Sequence, residues 1–130
     1  MRFIILALGL TIAMVAAAAT PMAADVPMSA AFRTCAVKAH ATYPRLHCYS
    51  IEAQARDDAL NSAYAAALAA KSDPRTKDYL AKSQAAWSDY LDAWCEATVS
   101  RSGSGGRFGL FACRLRETTR RTKELKSLLL

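Results

Sequence analysis

The chain has 130 residues, with 17 Lys and Arg against 11 Asp and Glu, four cysteines, and 53% hydrophobic residues. This length sets the prior at one domain. The formal net charge of +6 points to anionic surfaces or acidic partners rather than to any particular fold.

The amino terminus reads as a targeting segment. "MRF" supplies a positive charge, "IILALGLTIAMVAAAA" is an unbroken apolar and small run, and "TPMAAD" follows. These are the three parts of a secretory signal peptide, assigned to residues 1–24 with cleavage after Ala24, or alternatively after Ala19. No cysteine sits near that point, which argues against a lipid anchor. Residues 25–130 then form one helical domain with no transmembrane segment, placed in the periplasm or secreted. In that oxidising setting Cys35, Cys48, Cys95 and Cys113 are expected to form two disulfides. Four cysteines allow three pairings, and composition does not choose among them.

Four helical patterns follow in order. "SAAFRTCAVKAH" starts at a Ser29 cap, places Phe32, Cys35 or Ala36, and Ala39 at helical spacing, and is expected to stop at Pro44. The second pattern is expected over residues 51–71, capped by Ser50, with Glu52 at the positive end of the helix dipole. Leu60, Tyr64 and Leu68 recur every four residues beside Ala53, Ala63 and Ala67, whose small size lets another helix approach closely. "KSDPR" combines an Asp73 cap with Pro74 at the first helical position. The third pattern runs from Pro74 to about Val99, with Leu80, Gln84, Trp87, Leu91 and Trp94 on one stripe. That spacing assigns both tryptophans to the core and leaves Tyr90, one step off, half exposed. A buried Gln84 must find partners for its amide. "SRSGSGGRFG" ends this helix. The last pattern is expected over residues 108–129, with Phe108, Phe111, Leu115, Thr118, Thr122, Leu125 and Leu129 on a stripe. Arg114, Arg116, Arg120, Lys123 and Lys126 fall mainly off it. No period-two alternation is sustained. The fold class is therefore all-α: a small, disulfide-stabilised antiparallel bundle of three long helices plus a short N-terminal helix.

The charge is unevenly spread. Residues 52–96 carry five basic and eight acidic groups, net −3, while residues 101–126 carry eight and two, net +6. A basic carboxy-terminal third can dock on anionic envelope polymers, or can be only a solvated helix face.

The inventory for catalysis is poor. There is no G-x-S-x-G element. Cys35, His40, His47 and Cys48 form a conceivable zinc set, but an oxidising compartment favours disulfides. Asp89 and Asp92 lie one turn apart and read as solvated or salt-bridged. "GSGG" lacks the lysine and serine of a phosphate-cradling loop. The basic helix lacks interleaved exposed aromatics, so a nucleic-acid partner is not expected. The sequence thus offers no catalytic residue, no metal site and no cofactor, and the chain is not read as an enzyme.

"LNSAY" at 60–64, "QAAWSDYLDAWC" at 84–95, a glycine-rich turn, and Cys113 followed by "TTRRTKEL" resemble the lysozyme inhibitor LprI-like family, a group of exported bacterial domains. The matching positions are Leu60, Asn61, Tyr64, Gln84, Trp87, Tyr90, Cys95, Cys113, Thr118, Arg121 and Leu125. Tyr90 departs from the arginine common in the family. Trp94 and the long segment between the last two cysteines are further departures. The resemblance implies a helical, disulfide-bonded envelope domain and, for some members, inhibition of lysozyme.

Placed on an antiparallel bundle, Cys48, Cys95 and Cys113 fall at one end. Cys35–Cys48 with Cys95–Cys113 would give two local staples, each closing a short loop. Cys48–Cys95 with Cys35–Cys113 is the main rival. Arg121 at the stripe's edge would need partners, with Glu52, Asp57 and Asp92 as candidates. Asn61, mid-helix, suggests a hydrogen bond between helices. Two binding functions remain. One is occlusion of a lysozyme cleft by the loop from Ser100 to Arg107, through Arg101, Ser102, Ser104 and Arg107. The other is a non-inhibitory envelope module docking through the basic last helix.

Overall fold

A computed structural model of the chain describes residues 26–99 and 103–130. The expected signal peptide lies outside these residues. Four helices account for nearly all of the described chain: α1 (Ala30–Lys38), α2 (Thr42–Ala69), α3 (Pro74–Thr98) and α4 (Gly103–Ser127). The all-α expectation holds, with two disulfides, Cys35–Cys48 and Cys95–Cys113.

Two of the helix starts follow their local chemistry. The Ser29 hydroxyl accepts a 3.0 Å hydrogen bond from the Phe32 amide and caps α1. Asp73 accepts from the Thr76 amide and hydroxyl at 2.8 and 2.7 Å. These bonds hold its carboxyl below the ordinary range, and Pro74 follows in the first turn of α3.

Two expected boundaries are corrected. Pro44 does not stop α1, which ends at Lys38. It lies in the first turn of α2, where its missing N–H would have had no helical partner. Ser50 is therefore inside α2, and its hydroxyl donates to the His47 carbonyl at 2.8 Å. Likewise α4 begins at Gly103 rather than Phe108. Gly103 adopts φ +63°, a left-handed conformation that glycine reaches without strain. Gly109 then passes close to the end of α3, where a Cβ would meet a Val99 methyl carbon at 2.9 Å.

α2 and α4 run parallel and form the most extensive helix contact. Tyr49 meets Phe108 and Phe111, and Arg56 donates to the Thr119 hydroxyl at 2.7 Å. At the far end, Lys71 donates to the Leu128 carbonyl at 3.1 Å. Ala63, Ala67 and Leu60 pack with Leu125 along this seam, and Tyr64, Leu80 and Trp87 close around it. α3 is antiparallel to both. It meets α4 through a second cluster of Leu91, Cys95 and Cys113, with Trp87, Val99 and Leu110 packed against it. Trp87 belongs to both clusters and joins them.

Glu52 does not serve a helix dipole. It is 3% exposed in the body of α2, accepts from the Ser29 amide at 3.1 Å and pairs with Arg56 at 2.7 Å. The Ser29 hydroxyl also donates to it. Arg56 in turn donates to the Pro27 carbonyl at 2.9 Å. One buried carboxylate thus ties the entry of α1, the middle of α2 and, through Arg56, α4. Burial opposes its ionisation, but the hydrogen bonds from Ser29 and Arg56 and the charge of Arg56 outweigh burial, so its pKa lies below 4.5.

Leu125 is fully buried, so Leu125→Ala is expected to cost about 2–5 kcal/mol. Trp94→Ala, at a site 42% exposed, is expected to cost much less; urea unfolding of the oxidised protein compares the two. Because the folded-state pKa of Glu52 is depressed, its contribution is present above the ordinary value of 4.5 and lost as pH falls through its own lower value. Glu52→Gln should therefore destabilise at pH 7, by about 1–3 kcal/mol, and the gap to the parent protein should close on acidification. Unfolding curves across pH check this.

Candidate functional site

Several concave surfaces lie on the described part of the bundle, and two of them bear on function. The first is a cavity of about 610 Å³ at the disulfide end, walled by Thr42, Tyr43, Glu96, Val99, Arg107 and Leu110, with Gly103 and Gly106. Tyr43 is 75% exposed there. Arg107 is exposed as well and makes no ion pair with a described residue.

The expected occluding loop is shorter than its composition suggests. Gly103 to Arg107 are the opening turns of α4. Helix persists through these glycines against their propensity, while just beyond them Phe108 and Phe111 pack on Tyr49 and Cys113 is tied to Cys95. Of the four candidate binding residues, Arg107 stands on this helix and Ser104 lies in its first turn, with its side chain outside the description. Arg101 and Ser102 lie outside the described residues.

The second concavity is a groove of about 500 Å³ between α2 and α3, floored by α4. It follows from the packing: α2 and α3 share little direct contact, so the space above α4 stays open. The floor and lower walls are Leu60, Trp87, Leu91, Phe111 and Leu115. The upper walls carry Asp57 and Asn61 from α2, Gln84, Ser88 and Asp92 from α3, and Arg114 from α4. Arg114 pairs with Asp92. Burial by the groove walls pushes the Asp57 carboxyl above its ordinary range, against the attraction of Arg114, while Asp58 adds a like charge.

The residues singled out from sequence divide cleanly. Leu60, Thr118 and Leu125 are buried, and Tyr64, Gln84, Trp87 and Arg121 are half-buried. Cys95 and Cys113 form a disulfide. Arg121 is indeed largely enclosed, with a side chain 13% exposed, but its partners are not Glu52, Asp57 or Asp92. It donates to Gln84 Oε1 at 3.0 Å and Ser83 Oγ at 2.9 Å and pairs with Glu124 at 3.2 Å. The stripe amide and the stripe-edge arginine thus satisfy each other. Asn61 does not bond between helices; it is exposed on the groove wall, and its side chain bonds to no described residue.

Trp94 is the clearest correction. It is 42% exposed and stacks on the 43% exposed Tyr90, with ring centroids 6.0 Å apart. The inward stripe ends in Cys95, not Trp94. Adjacent helix positions point about 100° apart, and the disulfide draws the cysteine inward.

The basic last helix is also different from a bare cationic stripe. Arg114 pairs with Asp92, and Arg116 and Arg120 pair with the buried Glu117 at 3.2 and 2.6 Å. Arg121 is held as above. The internal ion pairs leave Lys123, Lys126 and Arg107 as cations without a described acidic partner. The conceivable zinc set loses both thiols to the Cys35–Cys48 disulfide.

Sequence reasoning missed the groove polar groups Asp57, Ser88 and Arg114. A signal was present: Asp57 and Asn61, then Gln84, Ser88 and Asp92, then Arg114 and Thr118, each step by four and so share one helix face.

Among the described residues no helix is long and apolar enough to cross a membrane. No curated protein and no solved structure matches the chain. The sequence model of one family, described as lysozyme inhibitor LprI, matches residues 33–125. That span contains all four cysteines, the principal walls of both concave surfaces and the α2–α4 seam as far as Leu125, and the chain belongs to the lysozyme inhibitor LprI family.

Proposed function

We propose that this chain is an exported binding protein, periplasmic or secreted, that inhibits a lysozyme-type muramidase by occluding its glycan cleft. The family membership over residues 33–125 carries the reading. Export is supported by the leader-like residues 1–24 and by the pairing of all four cysteines, which suits an oxidising compartment.

The occluding surface is the disulfide end of the bundle. Both disulfides lie there, which limits the entropy lost on binding. The cavity there is lined by Arg107 of α4 and the exposed Tyr43 of α2, together with Glu96. A glycoside-cleaving cleft holds two carboxyl groups, and an arginine is the side chain best suited to meet them. Tyrosine supplies rigid amphipathic contact area. The net positive charge of the chain slows approach to a basic enzyme, so the contact depends on local fit more than on long-range attraction. A role as an envelope module docked through α4 is weakened by the arginines already paired within that helix.

Titration of the oxidised protein into a lysozyme assay on bacterial cell walls, at low and physiological salt, should give saturable, stoichiometric inhibition at both. Arg107→Ala should weaken it about tenfold, the effect of one moderate interface residue. Absence of inhibition across several lysozyme classes would overturn the proposal.

A further inference from the structure

We infer that the groove between α2 and α3 is a second binding site, for a neutral, hydroxyl-rich ligand of the saccharide class. The site is distinct from the disulfide end and does not rest on inhibition of lysozyme.

Size comes first. A groove of about 500 Å³ falls within the ~300–1,000 Å³ range of small-molecule sites. Its floor is apolar: half-buried Trp87 presents its ring there, with Leu91 and Leu115 buried beneath, and an aromatic face suits the C–H face of a sugar ring. Its walls are polar, and several of their groups are unspent. The side chains of Asn61 and Ser88 make no hydrogen bond to a described residue. Gln84 is fixed by Arg121 through Oε1, so its NH₂ group remains available to donate. Asp57 makes no ion pair with a described residue, and although its surface is exposed, desolvation at the groove wall raises it above its ordinary range, so it gains from a donor brought into the groove.

Charge then selects the ligand. Asp57 and Asp92 share the groove with Arg56 and Arg114, and the Arg114–Asp92 and Arg56–Glu52 pairs already engage all but Asp57. An ionic ligand of either sign competes with those pairs. A neutral polyol avoids that competition. Its hydroxyls each donate and accept, which matches walls that alternate carboxylate, amide, hydroxyl and guanidinium. Asn61 and Gln84, two polar positions of the family pattern, lie far apart in sequence yet line this one groove.

NMR of the oxidised protein, with the N-acetylglucosamine trimer as probe, tests the assignment. Saturable shifts are expected at the Trp87 indole and at the Asn61 and Gln84 side-chain amides. The double variant Asn61→Ala/Ser88→Ala alters only exposed side chains and should weaken binding about tenfold, the loss of two neutral hydrogen bonds. It should leave lysozyme inhibition unchanged, as Arg107→Ala should leave trimer binding unchanged. Three results would each overturn the inference. They are no groove shifts through the millimolar range with either the trimer or maltotriose, shifts confined to Tyr90 and Trp94, or stronger groove shifts from arginine amide or inorganic phosphate than from either sugar.

Discussion

Alanines at 63 and 67 let α2 lie close against α4, and the rest of the architecture adjusts to that seam. Small side chains bring the two backbones together, and Leu125 fills the remaining space. α3 has no such stripe. It carries Trp87 and Leu91 on its inward face, and large side chains hold a helix at a greater distance. The bundle is therefore asymmetric, with one tight parallel pair and a third helix standing off. The groove is the direct product of that difference in side-chain volume.

Polar groups follow the same asymmetry. Where helices are tight, charges are consumed: Glu52 and Arg56 lock α1 to α2 and reach Thr119 on α4. Where helices part, charges stay in reach of a ligand. Asp57 follows Arg56 directly in the chain, yet one is fully engaged and the other is held above its ordinary range.

Much of the fold was legible because its signals were local. Ser29 and Asp73 announce helix starts through bonds within three residues, and the turn between α2 and α3 needs nothing else. The errors came where a distant contact decides. A proline marks either a helix stop or a first turn, and Pro44 takes the second role. There the Cys35–Cys48 bond and the packing of Tyr49 on Phe108 accompany a helix through residues 42–50. Trp94 and Cys95 compete for the inward direction, and only the link to Cys113 settles it. Arg121 was legible as an enclosed charge, but its partners on α3 depend on the register of two helices separated by glycines. The groove was visible only as step-four ladders of polar residues, which are also what a solvated helix face shows.

The placement of the disulfides has a topological consequence. Each bond joins helices that are neighbours in the chain, α1 to α2 and α3 to α4, across 13 and 18 positions. Neither crosses between the two halves. The oxidised molecule is thus two covalent rings joined by one stretch of backbone without a cross-link, residues 49–94, which includes the turn after α2. Each ring can close without waiting for the other, so oxidation and bundle assembly are separable events. Cutting the turn after α2 would leave two internally cross-linked pieces held together only by non-covalent contacts, chiefly the α2–α4 seam and the packing of Leu80 and Trp87 on the first cluster.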